Sequence, residues 1–281
     1  MREFITKKSG KLSKLILKEY PELSFGDVSK ALKNKDIKLN GVRTSKDIQV
    51  LENTKVSVYI DFDKLVSKIQ RVYEDGNILI VFKPYGIEVL GNDSDLVNLL
   101  KREGVDVKAC HRIDVNTEGL VILAKNSRAE SVILDAFKKH KVKKCYTAWV
   151  LGHMSKNSDT LHAYLLKDEN ASKVKIFDSF MPMAKEIITA YTVKEDFETT
   201  SLLNVEILTG RTHQIRAHLS YIGHPIIGDD KYGNREQNKK FGLKWQALTS
   251  TEISFDFSNS FLNYLSNKTF KVKPTWLKYI K

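Results

Sequence analysis

An aspartate in a short polar segment has the residue type and the neighbours for nucleophilic or acid–base chemistry. Asp114 lies within residues 110–120 (CHRIDVNTEGL), where the chain leads into an apolar run. Arg112 is two residues away, and a nearby positive charge lowers the pKa of a carboxyl group. Asp114 is therefore a candidate ionised nucleophile or base. The alternative interpretation is a turn-stabilising aspartate paired with Arg112 at the surface.

A second segment joins a basic pair to an aromatic strand. Residues 143–150 read KKCYTAWV. Because side chains alternate along a strand, Tyr146 and Ala148 share one face, and Thr147 and Trp149 share the other. This alternation could present Tyr146 to a ligand, although aromatic residues in strands are also usual in a core.

A third segment places basic and amide side chains at the start of a helix. Residues 208–219 read LTGRTHQIRAHL and lead to GHPIIGD at 223–229. The apolar pattern predicts a strand that stops at Gly210 and a helix that begins immediately afterwards. Arg211 and Gln214 then lie near the first turn of that helix.

Metal and nucleotide chemistry lack their usual sequence patterns. His213, His218 and His224 are five and six residues apart, whereas two metal ligands on one helix need a spacing of three or four. We therefore predict no metal site. Neither GxxxxGK[ST] nor GxGxxG occurs, so neither nucleotide hydrolysis nor dinucleotide redox chemistry is expected.

Short apolar runs separated by turns fill the chain from residue 71 onward. Strands are predicted at 78–82, 120–124, 146–151, 173–177 and 202–208. Helices are predicted at 94–102, 129–140 and 212–221. Strands outnumber helices without strict alternation, which predicts an α+β fold with a mixed, largely antiparallel sheet and packed helices.

The N-terminal part of the chain is a separate, strongly basic pattern. Residues 1–60 contain 13 Lys and Arg against 7 Asp and Glu. Helical spacing predicts one helix around residues 12–16 and a second from Ser24. A hairpin with an Asn-Gly turn and a closing strand are expected to follow. The order of elements in residues 24–45 (SFGDVSKALKNKDIKLNGVRTS) resembles the S4 RNA-binding domain, which implies contact with an RNA backbone.

Composition restricts the class of protein. The 281 residues are 42% hydrophobic, and their net charge of +12 favours a polyanionic partner such as nucleic acid. No apolar run approaches the roughly 18 residues of a membrane-spanning helix, and residues 1–14 lack a secretory signal, so we expect a cytoplasmic protein. The two distant cysteines, Cys110 and Cys145, argue against a disulfide framework and fit a reducing compartment.

Three strings, taken in order, resemble the pseudouridine synthases of the RluA class. They are HRIDVNTEGLVILAK at 111–125, KKCYTAWVLG at 143–152 and LTGRTHQIRAHLSYIGHPIIGDDKYG at 208–233. The Lys-Pro turn in NILIVFKPYG at 77–86 is also similar to that family. The chain departs from the family pattern at Glu118, where Ser is usual, and at Thr249, where His is frequent.

The resemblance implies a pseudouridine synthase fold and cofactor-free isomerisation of uridine to pseudouridine in RNA. It implies that Asp114 is the carboxylate that attacks a flipped nucleoside. It also implies that Tyr146 is an active-site residue, whose ring can stack on uracil and whose phenol can hydrogen-bond or help to move a proton. Arg211 is expected to pair with Asp114 in catalysis.

Further residues of the matched strings are assigned to the substrate. Arg112 is expected to hold the flipped strand, since a guanidinium group stacks on bases and binds phosphate. His111 and Gln214 are assigned to substrate binding, and they and Arg216 are expected to orient loops rather than to react. Ribosomal RNA of the large subunit is the expected partner, transfer RNA is the second choice, and a monomer is expected.

The sequence also predicts domain boundaries and leaves two alternative functions open. We predict an S4-like domain over 1–62, a linker over 63–70 and a catalytic domain over 71–281. A non-catalytic RNA-binding or ribosome-assembly factor with the same fold is the main alternative, and a nucleoside hydrolase that uses the same carboxylate is another. The products separate these functions, because isomerisation keeps the RNA mass and hydrolysis releases free uracil.

Overall fold

The protein, described by a computed structural model, forms two compact units. Unit 1 comprises residues 1–70 and 86–107, and unit 2 comprises residues 71–85 and 108–281. The described residues are 2–20, 23, 25–60, 69–91, 95–168, 173–243, 245–266 and 268–280. Residues 86–107 thus belong to unit 1, although the sequence analysis assigned them to the catalytic domain. Most of the predicted linker lies outside the described residues.

Unit 1 combines short helices with short strands. Helices α1 to α3 are Leu12–Glu19, Phe25–Lys33 and Leu96–Arg102. Strands β1 to β6 are Arg2–Ile5, Gly10–Lys11, Ile37–Leu39, Val42–Thr44, Gln49–Val50 and Lys55–Val58. An antiparallel sheet has the order β1-β6-β3-β4, and β2 pairs with β5.

The apolar residues of α1 and α2 form the core of unit 1 with the sheet. Leu12, Ile16 and Val28 are fully buried in this cluster, because helical spacing places them on one side of each helix. The hairpin of β3 and β4 turns at Asn40 and Gly41, whose φ angles of 47° and 87° suit a tight hairpin turn. The predicted helices and hairpin are therefore confirmed, while Ser24 lies outside the described residues.

Unit 2 is built on a large sheet. Strands β7 to β12 are Gln70–Glu74, Ile78–Lys83, Lys108–Ala109, Glu118–Ala124, Val142–Leu151 and Ser158–Asp168. Strands β13 to β17 are Lys173–Phe177, Lys185–Asp196, Thr200–Ile207, Leu248–Phe255 and Thr269–Lys271. Helices α4 to α6 are Ser127–Lys138, Gln214–Tyr221 and Arg235–Phe241, and two 3₁₀ helices are Asn263–Leu265 and Thr275–Tyr279.

The sheet of unit 2 is antiparallel apart from one short parallel contact. Its main order is β13-β12-β14-β15-β11-β16-β10-β8-β7, with β17 beside β16 and β9 beside β10. Glu118 and Gly119 of β10 pair with Thr249 and Ser250 of β16 in parallel. The predicted α+β class with a largely antiparallel sheet is confirmed, and every predicted strand and helix of this part is present with its ends shifted by a few residues.

The central strand β16 was not predicted from the sequence, for a physical reason. Its sequence LTSTEISF is polar enough to resemble a loop. Thr249 and Ser250 are nevertheless fully buried. The Thr249 hydroxyl donates a hydrogen bond to the Glu118 carboxylate at 2.8 Å, so its polar group is satisfied inside the protein.

Two smaller expectations concern the membrane and the thiols. Within the described ranges, no helix has the length and apolar character to cross a membrane. Cys110 and Cys145 are both free thiols. Burial raises the pKa of the Cys110 thiol to about 12, so it is an unreactive core residue.

Candidate active site

A cleft in unit 2 brings most of the candidate residues together. It is lined by residues from the three sequence segments identified above, from the end of β15 and from β16. The lining residues are Arg112, Ile113, Asp114, Thr117, Lys144, Tyr146, Ile207, Gly210, Arg211, His213, Gln214, Ile215, Arg216 and Leu248. Of the six residues assigned to the site from the sequence, only His111 does not line the cleft.

The turn that carries Asp114 is held from both sides. Within the turn, the Thr117 amide donates to the Asp114 carbonyl at 3.0 Å. The fully buried Lys83 at the end of β8 donates from Nζ to the Val115 carbonyl at 3.2 Å. The Gln246 side-chain amide donates to the Thr117 hydroxyl at 3.0 Å. Contacts from two segments distant in sequence therefore fix the turn that presents the carboxylate.

Glu118, at the start of β10, anchors the turn to the C-terminal part of the chain. Its buried carboxylate accepts hydrogen bonds from the Thr249 hydroxyl at 2.8 Å, and from the Thr275 amide and hydroxyl at 2.8 and 2.6 Å. The Trp276 indole N–H donates to the same Thr249 hydroxyl at 2.8 Å. Glu118 and Thr249 are the two departures from the family pattern, and the structure shows that they contact each other.

Gly119 is required where β10 meets β16. Its φ is +122°, and a Cβ atom on it would overlap the backbone of Ser250. We expect Gly119→Ala to destabilise the protein by about 3 kcal/mol or more, because backbone strain and steric overlap add. The measurement is the free energy of unfolding in denaturant. Gly76→Ala is the matched control, since Gly76 has open space around it, and an equal loss in both variants would contradict the prediction.

A buried arginine joins the candidate nucleophile to a second carboxylate. Arg216 in α5 donates from Nη1 to Asp114 Oδ2 at 2.8 Å. It also forms a bidentate pair with Asp229, from Nε to Oδ2 at 2.7 Å and from Nη2 to Oδ1 at 3.0 Å. The Asp229 Oδ1 atom accepts two further bonds from the Lys231 and Tyr232 amides. Arg216 therefore links Asp114 and Asp229 in one hydrogen-bonded network.

The pKa directions agree with this network. Burial opposes the charge of Asp229, but the bonds from Arg216 and the two amides keep the pKa of Asp229 below its usual value. The two carboxylates raise the pKa of Arg216 against the opposing effect of burial. Both partners are thus ionised at neutral pH, and Arg216 supplies a fixed positive charge beside Asp114.

The expected pair of Arg211 with Asp114 is corrected by this geometry. Arg211 is exposed at the rim of the cleft, and the guanidinium group that contacts Asp114 belongs to Arg216. The reason is the helix start: α5 begins at Gln214, after His213 at φ 56°. Arg216 therefore lies within the buried first turns of the helix, whereas Arg211 lies in the exposed loop before it.

Gln214 positions the loop before α5, and its amide is fully used within the protein. The carbonyl accepts from the Thr209 hydroxyl at 2.9 Å and from the Arg211 amide at 3.1 Å. The amide nitrogen donates to the Ile188 carbonyl and the Thr189 hydroxyl at 3.0 and 3.1 Å. No donor or acceptor remains for a substrate, which corrects the assignment of Gln214 to substrate binding.

His111 is a structural residue behind the catalytic turn. Its Nε2 atom accepts a hydrogen bond from the Ile122 amide at 3.0 Å, and its ring lies 5.1 Å from that of Phe137. Burial and the charge of Lys144 hold the pKa of His111 well below its usual value, so the ring is neutral. The assignment of His111 to substrate binding is corrected, because its ring is held against β10 and α4.

Tyr146 and Lys144 face the cleft from β11. Both line it with Asp114, as the alternation of the strand requires. Burial and the negative charge of Asp114 raise the pKa of the Tyr146 phenol, so it stays protonated at neutral pH. The tyrosine is buried to all but 5%, which leaves its ring as one wall of the cleft.

Three lining residues were missed or undervalued in the sequence. Arg216 was treated as a loop-orienting residue, Lys144 was not singled out, and Leu248 lies on the unpredicted strand β16. The spacing of two residues between Lys144 and Tyr146 is the signal that could have revealed the lysine. The contact of Arg216 with Asp114 spans 102 positions, and a single sequence carries no signal for it.

The charges in the cleft suit an anionic substrate. Four cationic side chains line it, against the single carboxylate of Asp114. That carboxylate is bound through Oδ2, and no described residue hydrogen-bonds to Oδ1. Within the described part of the chain, no three His, Cys, Asp or Glu side chains converge as a metal site would require. The arrangement can hold an anionic polymer and present one carboxylate oxygen to it.

Comparisons with known proteins match this chain to one family. The family model for RNA pseudouridylate synthase matches residues 77–221. The chain is 31% identical to ribosomal large subunit pseudouridine synthase C of Rickettsia felis, over 81% of this chain and 83% of that protein. It is 33% identical to the protein of the same name from Vibrio parahaemolyticus, over 75% of this chain and 67% of that one.

A solved structure gives the same result. Human RNA pseudouridylate synthase domain containing 1 superimposes with a TM-score of 0.62 and 26% identity, over 69% of this chain and 81% of the human chain. The cleft, the ordered sequence strings and the matched length therefore point to one enzyme class. The chain belongs to the RNA pseudouridylate synthase family and is an RNA pseudouridine synthase of the RluA class.

Proposed function

We propose that this enzyme isomerises uridine in ribosomal RNA of the large subunit, and that Asp114 attacks the extruded nucleoside. One observation carries the second part. Arg216 fixes Asp114 through Oδ2 at 2.8 Å, while no described residue occupies Oδ1 in the cleft. A carboxylate that is held in place with one open oxygen is suited to act as a nucleophile. The names of the bacterial relatives support the choice of RNA.

The reaction needs a closed cleft and no external reactant. The bond between ribose C1′ and uracil N1 breaks, and its electron pair remains with the uracil. The uracil turns, C5 bonds to C1′, and the bond that the Asp114 carboxylate formed with the nucleoside breaks, which regenerates the carboxylate. A proton leaves C5 and a proton joins N1, so the mass of the RNA does not change. A base must leave its stack to reach Asp114, which requires extrusion from the RNA.

The lining residues divide these tasks. The half-buried Asp114 attacks the nucleoside, and the ring of Tyr146 supports the detached uracil by stacking. Arg112 is exposed and, among the described residues, has no ion-pair partner, so it is available to bind the strand around the extruded nucleotide. Arg216 holds and orients the Asp114 carboxylate through Oδ2. Arg211 adds a positive charge at the rim for phosphate.

Residues 1–62, which are part of unit 1, are proposed to form an S4-like RNA-binding module. Lys38 Nζ and Arg43 Cζ lie 5.0 and 5.7 Å from the centre of the Tyr59 ring. An aromatic ring flanked by two cations is suited to a nucleic-acid backbone with unpaired bases. Four exposed lysines add to this charge, and they are Lys14, Lys18, Lys30 and Lys33.

These four lysines give a testable salt dependence. Replacing all four with glutamine in the full-length protein is expected to weaken RNA binding. The slope of log affinity against log salt should fall by about 2 to 3, because each lost phosphate contact removes about 0.7. The measurement is fluorescence anisotropy of labelled RNA at several salt concentrations.

Four exposed lysines of unit 2 serve as the control, because each pairs with a carboxylate of its own unit. They are Lys139, Lys156, Lys175 and Lys271. The same replacement there is expected to change the slope much less. Equal slopes for both fourfold variants would contradict an RNA-binding role of unit 1.

The choice of RNA is tested by mapping pseudouridines. RNA from cells that lack this protein is incubated with the purified enzyme, and ribosomal and transfer RNA are sequenced for pseudouridine. New pseudouridine in large-subunit RNA supports the proposal, whereas modification of transfer RNA alone would overturn this choice. A cytoplasmic location and a monomeric state belong to the same proposal, and fractionation and light scattering measure them.

A further inference from the structure

Lys144 occupies a position in the cleft that the isomerisation chemistry above does not use. It precedes Tyr146 by two residues on β11, so both side chains face the same side of the sheet. Its ammonium group lies 5.3 Å from the centre of the Phe137 ring and 4.0 Å from where a Cβ atom on Gly210 would be. Lys144 therefore forms part of the wall between α4 and the loop before Arg211.

The other cations of the cleft are already compensated. Arg216 binds two carboxylates, and Arg112 and Arg211 are exposed to water. Lys144 is half-buried, and no carboxylate of the described residues lies within ion-pair distance of it. Its neighbour Lys143 points to the opposite face and pairs with Glu206 at 2.9 Å. Of these two neighbouring lysines, only Lys144 therefore lacks a carboxylate partner among the described residues.

A partly buried ammonium group without a counter-ion raises the free energy of the protein, and a bound anion lowers it. Burial disfavours the charged form and lowers the pKa of Lys144 to about 8. The contact with the Phe137 ring returns only part of the lost hydration. Such a group is stabilised by a negatively charged oxygen of a ligand. The ammonium group therefore favours the binding of an anionic substrate over the binding of water.

We propose that Lys144 is a substrate-contacting residue of this site, whose ammonium group binds an anionic oxygen of the target nucleotide. This inference rests on the proposed function of the cleft and deepens it. The oxygen has two possible sources in one nucleotide. One is the phosphate beside the extruded uridine, and the other is the uracil carbonyl that gains negative charge when the bond from C1′ to N1 breaks.

The test compares Lys144→Gln with Lys143→Gln in the full-length enzyme, using a short RNA with a mapped target uridine. Binding is measured by anisotropy, and the rate of pseudouridine formation is measured under single-turnover conditions. If the oxygen belongs to phosphate, Lys144→Gln raises Kd about 10-fold or more. If it belongs to uracil, the single-turnover rate falls about 100-fold and Kd is unchanged. Lys143→Gln is expected to stay within about twofold in both, as an exposed charge outside the cleft.

Thermal unfolding separates a substrate contact from a structural role. Because Lys144 has no counter-ion in the free protein, Lys144→Gln is expected to have an equal or higher Tm than the unaltered enzyme. A residue that mainly supports the fold would show a lower Tm together with the lower activity. A clear drop in Tm that accounts for the loss of activity would therefore overturn the proposal.

The pH profile gives a further readout. The charged and titratable groups facing Lys144 across the cleft and from the packed elements are His111, Arg112, Asp114, Tyr146, Arg211, His213 and Arg216. Since the charged ammonium is the active form, kcat/KM should fall as pH rises through about 8. Lys144→Arg keeps its charge at that pH and should lack this decline. If kcat/KM instead rises through pH 8 in the unaltered enzyme but not in Lys144→Arg, the neutral amine is the active form. That result would overturn the proposal.

The outcomes also separate this proposal from the function on which it rests. No pseudouridine with the unaltered enzyme on any RNA would count against the proposed function. An active unaltered enzyme, together with a Lys144→Gln variant that matches Lys143→Gln in both Kd and rate, would overturn the role of Lys144 alone.

Discussion

Asp114→Asn is expected to lower the rate of pseudouridine formation by about 10⁴-fold or more. Removal of an attacking carboxylate leaves only binding and orientation, and losses of this size are usual for essential nucleophiles. RNA affinity should change by less than about threefold, because the substitution removes neither a cation nor a stacking ring. The measurement is single-turnover analysis of nucleosides from labelled RNA, with anisotropy for binding.

The fold should survive this substitution. Arg216 keeps its bidentate pair with Asp229 at 2.7 and 3.0 Å when Asp114 is changed. Asp230→Asn is the matched control, because Asp230 also lies near Arg216, at 3.7 Å, but is exposed. The control should retain activity within about twofold. Comparable activity in the two variants would remove Asp114 from the mechanism.

Arg216→Met is expected to damage both stability and activity. The buried Asp229 loses its only cationic partner among the described residues, and an isolated buried charge costs about 3–5 kcal/mol. Asp114 simultaneously loses its fixed neighbour, so the single-turnover rate should fall by at least about 100-fold. Denaturant unfolding and rate measurements on the same preparations test both effects.

The pH dependence of Arg216→Met has a definite sign. In the unaltered protein the pKa of Asp229 is lowered, so its contribution to stability is present at neutral pH and is lost only as pH falls through that low value. Without Arg216, only the two amide hydrogen bonds oppose burial, so the pKa of Asp229 should rise. Protonation of Asp229 in mild acid should then remove the cost of its buried charge. The difference in unfolding free energy between the two proteins should therefore narrow between pH 7 and about 4.5. A constant difference over this range would contradict the buried pair as its cause.

Arg211→Met is the matched control for Arg216→Met, because Arg211 was first expected to pair with Asp114. Arg211 lies in the same segment but is exposed, so its loss should change the unfolding free energy by no more than about 0.5 kcal/mol. Its effect should appear in RNA affinity and remain about 10-fold or less. If Arg211→Met were the more damaging variant for the single-turnover rate, the original pairing of Arg211 with Asp114 would have to be restored.

Local signals in the sequence were sufficient to predict the fold class, the main strands and the segments that form the cleft. The apolar run in β10 is fully buried, and the strand alternation of β11 places Tyr146 on the face that lines the cleft. The Asn-Gly turn, the α+β class and the ordered family strings are equally local or composition-based patterns. These features depend on residues a few positions apart, which a single sequence displays directly.

The missing parts depend on contacts between distant residues. The direction of Arg216 follows from the left-handed backbone at His213, which delays the start of α5 to Gln214. In the polar strand β16, Thr249 is buried with hydrogen bonds to Glu118 and from Trp276, and Glu118 is also bonded by Thr275. Neither feature has a local signature, so sequence analysis assigned the wrong arginine and missed the strand.

Nucleoside analysis of large-subunit ribosomal RNA incubated with the purified protein tests the central claim most directly. The RNA is taken from cells that lack the protein, and parallel samples receive the unaltered chain or Asp114→Asn. We expect new pseudouridine, no free uracil and no change in RNA mass with the unaltered chain, and no pseudouridine with the variant. Free uracil, or equal pseudouridine from both proteins, would contradict isomerisation by the Asp114 carboxylate.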